Sequence, residues 1–128
     1  MKKNFFAKII AKDPKSLQFI SAFCEKAKTK SSEIKFLKDN KIFLFSMNRI
    51  NKEKNGKELI KSVCRFEFIE NVKSINIDQE NPEEILELIA INPLKKDKDY
   101  SITLLFNKNR IITLTTEVIE ATLEDQNN

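Results

Sequence analysis

Hydrophobic and polar residues alternate along much of this chain, and the alternation predicts a protein made mainly of short β-strands. The clearest stretch is 101–116, in which apolar residues recur at every second position: Ile102, Leu104 and Phe106, and then Ile112 and Leu114. A period of two places these side chains on one face of each strand. The polar tip Asn107-Lys108-Asn109 separates the two halves, so the pattern predicts a β-hairpin.

Two further hairpins are predicted in the middle of the chain. Segments 34–38 and 41–47 alternate on either side of Asp39-Asn40, which suits a two-residue turn. Segment 60–69 is typical of a half-buried strand, and we expect 72–77 to pair with it. Between the two hairpins, 51–58 has no apolar residue and holds the only glycine, which predicts a solvated loop.

The N-terminal part predicts a strand followed by a helix. Residues 4–12 are apolar and strand-like, and Asp13-Pro14 provides a capping carboxylate followed by proline at the first helical position. Four small or apolar side chains with helical spacing form one face: Leu17, Ile20, Cys24 and Ala27. We expect the helix to end near Lys28, in the polar loop KTKSS.

Two segments of the second half carry helix signals. Residues 81–84 resemble a capping box, and Ile85, Leu88 and Ile89 have helical spacing, although LELIAINPL equally suits a buried strand. We expect one helical turn and then a strand. Near the C-terminus, Thr116 is a candidate N-cap for a helix beginning at Glu117.

These elements predict one α+β domain over residues 1–128. Its centre is a twisted antiparallel sheet or half-open barrel of about seven to eight strands, with an N-terminal strand–helix and a C-terminal helix. A pleckstrin-homology-like barrel is the first interpretation. The alternative is a tandem strand–helix–hairpin repeat, in which two helices cover a two-layer sheet.

Composition excludes several kinds of chemistry. The chain has no histidine, which removes Ser-His-Asp and Cys-His nucleophiles and histidine metal sites. A single glycine excludes glycine-rich nucleotide loops. Two cysteines provide no zinc set, and we expect both thiols to be buried and reduced in a cytoplasmic protein. No cofactor is predicted, and we expect a non-enzyme.

The net charge of +4 is a weak argument for nucleic acid. Only three of the 23 basic residues are arginine, the side chain that most often contacts bases and phosphates. The chain has no apolar run of about 18 residues, and lysines interrupt the apolar start, so neither a membrane span nor a signal peptide is expected.

Several segments together resemble a bacterial family, domain of unknown function 2948 (DUF2948). The resemblance rests on Asp13 before the first helix, Asn48-Arg49 at the end of a strand, and Ile119-Glu120-Ala121 with Leu123 near the C-terminus. Tryptophans and several arginines typical of the family are missing. The resemblance implies a small cytoplasmic bacterial protein, chiefly alphaproteobacterial, and it implies no activity.

The scarce arginines are the candidate site residues, because a lysine-rich chain retains arginine where guanidinium geometry is needed. We expect Arg49, which follows Asn48, and Arg65 to form a network with carboxylates that ties the last helix to the sheet. The carboxylates are those of Glu117, Glu120 and Asp125. Arg110 is the third arginine of the chain.

These observations favour a non-enzymatic adaptor that binds a protein through the exposed edge or open end of its sheet, where an extended peptide adds a strand. The alternative is a small-molecule or anion-binding domain using Arg49 and Arg65. An enzyme is the third interpretation and requires a polar cleft with a perturbed carboxylate. The sequence identifies neither the partner nor the oligomeric state.

Overall fold

The computed structural model of the chain describes residues 7–51 and 58–126. One helix and ten strands are present in this part. The helix is α1 (Pro14–Cys24), and the strands are β1 (Lys8–Ala11), β2 (Lys28–Lys30), β3 (Ile34–Leu37), β4 (Ile42–Asn51), β5 (Glu58–Phe66), β6 (Ile69–Ile75), β7 (Ile85–Lys96), β8 (Asp99–Phe106), β9 (Arg110–Thr116) and β10 (Ala121–Asp125).

All ten strands belong to one antiparallel sheet that is open and does not close into a barrel. Their order is β1-β10-β5-β4-β2-β7-β8-β9-β6, and β3 pairs with β4 outside this path. The sheet curls, so that its terminal strand β6 returns to the central strand β4. The N–H of Ile69 in β6 donates to the carbonyl of Lys41, the residue before β4, at 2.8 Å. The concave side holds the core, on which α1 packs.

The predicted start of α1 is confirmed. Asp13 is the N-cap, its carboxylate accepts the N–H of Ser16 at 2.7 Å, and Pro14 is the first helical residue. Leu17, Ile20 and Cys24 are buried, as the spacing predicted. The first strand begins at Lys8 in the described residues, and the predicted part before residue 7 lies outside them.

The helix ends earlier than predicted, at Cys24, and KTKSS is not a loop. Lys26 has a left-handed φ of 68°, which stops the helix, and its N–H donates to the carbonyl of Leu88 at 2.8 Å. The following residues form the short strand β2. Thr29 is buried there, and its hydroxyl is satisfied because it donates to the carbonyl of Ser46 at 2.5 Å.

The hairpins of 34–47 and 101–116 are confirmed as β3–β4 and β8–β9. The first turn is longer than predicted, since residues 38–40 form a 3-10 turn and Lys41 has the positive φ of 57°. The predicted loop 51–58 falls mostly on residues outside the described part.

The predicted pairing of 60–69 with 72–77 is wrong. β5 lies between β4 and β10, whereas β6 pairs with β9. Phe68 has a positive φ of 59°, and the chain passes there from β5, between β4 and β10, to β6, at the far end of the strand order. Local alternation predicted both strands, but pairing depends on distant residues that supply the neighbours.

Both helices predicted in the second half are wrong. Residues 79–84 form turns, and β7 follows directly. The C-terminal segment is the strand β10, in which Ala121, Leu123 and Asp125 are buried and the residues between them are more exposed. The hydroxyl of Thr116 caps no helix and lies within hydrogen-bonding distance of the carbonyls of Phe68 and Val118, to either of which it can donate. The pleckstrin-homology-like arrangement stays a prediction.

Candidate functional site

A buried ion pair joins β4 to β10 across β5. The guanidinium of Arg49 donates to both oxygens of Asp125, with Nε–Oδ1 at 2.9 Å and Nη2–Oδ2 at 2.6 Å. The side chains are only 3% and 0% exposed. Such a bidentate pair fixes the relative position of the two strands, because both donors point along one direction.

The remaining lone pairs of this carboxylate are also used. Ser62 of β5 donates its hydroxyl to Oδ1 of Asp125, and the N–H of Ala7 donates to Oδ2, both at 2.6 Å. Burial alone would raise the pKa of Asp125, but hydrogen bonds from Arg49, Ser62 and Ala7 outweigh it and lower the pKa below its ordinary value. With four accepted hydrogen bonds, the carboxylate is already satisfied within the protein.

Arg49 is enclosed on its other side as well. Its guanidinium carbon lies 5.3 Å from the centre of the Phe23 ring, and Nη1 lies 3.4 Å from the carbonyl of Ile50. Of the predicted network, the structure brings together Arg49 and Asp125. The arrangement ties the last strand to the sheet, where a helix was predicted.

The other predicted site residues lie elsewhere. Arg65 is half-exposed on the outer face of β5 and forms an ion pair with Glu67. Glu120 contributes a carbonyl to the N–H of Glu67 at 2.9 Å, and its carboxylate lies 4.0 Å from Lys12. Glu117 is exposed on the surface.

Arg49 and Arg65 point to opposite faces of the sheet. Arg49 belongs to the buried face of β4, and Arg65 is paired with Leu44 on the outer face. An anion site built from both guanidinium groups is therefore incompatible with this structure. Asn48 is also on the outer face, where it lines a cavity of about 370 Å³.

Arg110 is 5% exposed and holds the tip of the β8–β9 hairpin. It donates to the backbone and side-chain oxygens of Asn107, at 3.0 and 2.5 Å, and to the carbonyl of Ile85 at 3.2 Å. The carboxylate of Glu84 lies 3.3 Å from Nη1. The sequence singled out this arginine but gave it no partner.

Ser62 is the member of the ion-pair cluster that sequence reasoning missed. A signal was present, because Ser62 is the polar residue in an otherwise apolar row of alternate positions on β5: Ile60, Ser62, Cys64 and Phe66. A hydroxyl at a buried parity position needs a partner. The two thiols, Cys24 and Cys64, are buried, as predicted, and no disulfide joins them.

A second feature of the molecule is a surface cavity, which is accessible to solvent, unlike the buried ion pair. A cavity of about 350 Å³ lies between β3 and β6, and we call it the β3–β6 cleft. Its lining combines apolar and polar side chains, and the apolar ones are Ile34, Phe36, Phe43, Val72, Ile77 and Ile112. Ser31, Ser32, Ser74, Gln79 and Pro82 complete it.

The two strands that border the cleft are edges of the sheet. Among the described residues, β3 pairs with β4 alone and β6 pairs with β9 alone. The bond from Ile69 to Lys41 joins the beginning of β6 to the turn after β3, whereas Ser31 and Ile77 lie at the other end. The two edges therefore run antiparallel on either side of the cleft.

A β-bulge determines which side chains of β6 face the cleft. The register with β9 shifts between Ile69 and Asn71, so that Ile69 and Val72 point to the same face. Val72 and Ser74 consequently lie opposite Leu114 and Ile112 on the concave face. Without the shift, Asn71 and Lys73 would point into the cleft in place of Val72 and Ser74.

Within residues 7–51 and 58–126, no three acidic or cysteine side chains gather into a set suited to a metal ion. No described helix has the length and apolar character needed to cross a bilayer.

A sequence profile for the family described as protein of unknown function (DUF2948) matches residues 7–128, nearly the whole chain. This match confirms the resemblance seen in the sequence. No curated protein and no solved structure matches the chain.

Proposed function

Because the chain belongs to the DUF2948 family, described only as a protein of unknown function, we propose its function from its own geometry. It is a non-enzymatic binding domain that takes an extended segment of a partner protein into the β3–β6 cleft. The added segment forms a strand against one or both edges. We further propose that the protein works in the cytoplasm.

This proposal rests on one observation: within the part of the chain that the structure describes, two strand edges without a partner border one cavity that has apolar side chains at its base. Unpaired N–H and C=O groups on an edge are a template for another chain. In strand addition, backbone hydrogen bonds supply affinity, and pockets for alternate side chains supply selectivity. The cleft offers both requirements in one place.

The lining of the cleft is partly buried, as a docking surface for side chains requires. Ile34, Phe36, Val72 and Ile77 pack against the core and keep part of their surface accessible. Behind them, Phe43 and Ile112 are nearly inaccessible, at 1% and 3% exposure. A volume of about 350 Å³ is near the lower limit of ligand pockets, about 300–1,000 Å³. We therefore expect a short segment with a few small apolar side chains.

Within the described residues, β1 is the other edge of the sheet that has one neighbour, and it is a poorer candidate. β1 has four residues, and α1 begins three residues after it and packs against it. Its inward residues are Ile9, which packs against the core, and Ala11, which is fully buried, so an added strand would find no cavity for its side chains there.

A peptide selection with a plugged variant tests the proposal. A phage-displayed library of short linear peptides is selected against the wild type, and the recovered peptides are measured against Ser74→Trp and Ile75→Trp. Ser74 lines the cleft, whereas Ile75 is 55% exposed on the outer face of the same strand. We expect Ser74→Trp to abolish binding and Ile75→Trp to retain it.

Two results would overturn the proposal. One is a library that yields no binder to a folded wild-type protein. The other is a set of binders that tolerates the plugged cleft as well as the control. Circular dichroism of both variants establishes that each is folded before the comparison.

The cavity at Asn48 favours a second candidate function, the binding of a small amphipathic anion. Its lining combines apolar side chains of β4, β5 and β7 with Lys26, Lys28 and Lys30, although Glu33 and Glu87 also line it. Octanoate is a suitable probe. A rise in melting temperature with octanoate that is lost in Lys28→Gln would support this candidate, and an equal rise in both proteins would refute it.

A further inference from the structure

We infer that the segment bound in the β3–β6 cleft alternates apolar and acidic residues. This inference rests on the proposed function and specifies the chemistry of its partner. The two faces of the bordering strands differ sharply in character, and an added strand shares their alternation because its side chains also point to opposite faces.

The inner face of both edges requires apolar side chains. On β3, Ile34 and Phe36 are opposite Phe45 and Phe43 of β4 and point to the concave side. On β6, Val72 is opposite the buried Leu114. A charged side chain placed among these residues would lose its hydration without gaining a partner.

The outer face of the same edges carries one lysine from each strand. Lys35 of β3 is opposite Leu44, and Lys73 of β6 is opposite Thr113, so both ammonium groups belong to the convex side. Both lysines are exposed, and no ion pair links either one to a carboxylate of residues 7–51 or 58–126. Both lie in the central part of their strands.

Because the two edges run antiparallel, the middle of β3 lies across the cleft from the middle of β6. An outward side chain at the centre of the inserted segment would therefore have Lys35 on one side and Lys73 on the other. Opposite charges on neighbouring strands attract each other, and like charges repel. One carboxylate at this position would be attracted by both lysines.

Acidic residues of the protein itself restrict where this preference applies. At the end of the cleft formed by 77–82, Gln79 is flanked by Asp78 and Glu80. At the opposite end, Glu70 is held by Lys41 at 3.0 Å. The attraction for a carboxylate is therefore local to the middle of the cleft, and acidic residues beyond either end gain nothing.

A second copy of this chain does not suit the same position. Pairing β3 with β3, or β6 with β6, would place lysines near lysines. Lysine on an edge strand is a common means of preventing such self-association. The same charges that oppose a second copy select an acidic partner segment.

Two blocked pentapeptides test the inference, Val-Glu-Val-Glu-Val and Val-Lys-Val-Lys-Val. Binding is followed by the amide chemical shifts of β3 and β6 in 15N-labelled full-length protein, at low salt. We expect the acidic peptide to bind about tenfold more tightly, since two attractive contacts replace two repulsive ones. Raising the salt to about 1 M should reduce the difference, because screening is then effective within about 3 Å.

Charge reversal provides the control. Lys35→Glu combined with Lys73→Glu should reverse the preference, so that the lysine peptide binds more tightly. Lys8→Glu combined with Lys15→Glu changes the net charge equally, from +4 to 0, at residues outside the cleft. This second variant should keep the preference for the acidic peptide.

The outcomes separate this inference from the function on which it rests. Equal affinity for the two peptides, or the same change in both double variants, would overturn the acidic preference and leave strand addition intact. If library-selected peptides bind in the cleft while neither pentapeptide does, the inference also fails alone. If no peptide of any kind binds there, the proposed function fails with it.

Discussion

Two groups of strands in this sheet differ in how their polar groups are satisfied. Where β4, β5 and β10 lie side by side, every strand has at least two neighbours, and a buried ion pair, to which Ser62 of β5 also donates, links β4 to β10. Within residues 7–51 and 58–126, β3 and β6 each have one neighbour, and a cavity separates them. The first arrangement uses its polar groups internally, and the second leaves them available. Stability and binding are therefore expected to respond to different residues.

The largest effect on stability is expected from breaking the ion pair. Asp125→Ala leaves the guanidinium of Arg49 buried without its carboxylate, which costs about 3–5 kcal/mol. Urea unfolding followed by circular dichroism measures the change in the free energy of unfolding. The control is Glu67→Ala, which breaks the more exposed pair with Arg65 and should cost less than about 1 kcal/mol. Equal losses in both variants would contradict the difference between the two ion pairs.

A smaller loss is expected for Ser62→Ala, which removes one hydrogen bond to the buried carboxylate. Hydrogen bonds to charged groups contribute about 1.5–3 kcal/mol. Ser46→Ala on the outer face of β4 is the matched control and should change the free energy of unfolding by less than about 0.5 kcal/mol. The same urea experiment measures both, and an unchanged Ser62→Ala would show that this hydroxyl adds nothing.

Acid should weaken the same side of the sheet. The folded pKa of Asp125 is lower than its ordinary value of 3.8, so the contribution of this carboxylate is complete above pH 3.8 and is lost as the pH falls below it. Melting temperatures measured from pH 6 to pH 2.5 should fall more steeply for the wild type than for Asp125→Asn. Parallel curves would exclude Asp125 as a source of the acid sensitivity.

The smallest effect on stability is expected at the cleft. Ser74→Trp adds a side chain at an exposed position and removes no core contact, so the free energy of unfolding should change by less than about 0.5 kcal/mol. Its melting temperature should match that of Ile75→Trp. A large loss in Ser74→Trp alone would mean that the cleft is part of the packed core and is not a binding surface.

Much of the sheet was predictable because strand parity is a local property. The β8–β9 hairpin, the start of α1 and the burial of both cysteines all follow from short patterns. The C-terminal strand was missed because a threonine followed by a glutamate imitates a helix start. The buried alternation of Ala121, Leu123 and Asp125 was already visible, but it includes a carboxylate that only a partner makes acceptable inside.

The candidate sites were less predictable than the strands. Scarcity of arginine identified Arg49, and the list of carboxylates included its partner Asp125, but Arg65 was assigned to the same network although it faces the other side. The cleft depends on which edges lack a neighbour, and this is a property of the complete strand order. The incorrect pairing of β5 with β6 concealed it, because β6 then had no free edge near β3.

The most direct test is amide hydrogen exchange with and without a library-selected peptide. We expect β3 and β6 to exchange faster than β5 and β10 in the free protein, because each has one edge without a partner strand in the described part of the chain. Added peptide should slow exchange in β3 and β6 and leave the strands around Arg49 and Asp125 unchanged. Protection confined to β1 and β10, or protection that survives in Ser74→Trp, would contradict the assignment of binding to the β3–β6 cleft.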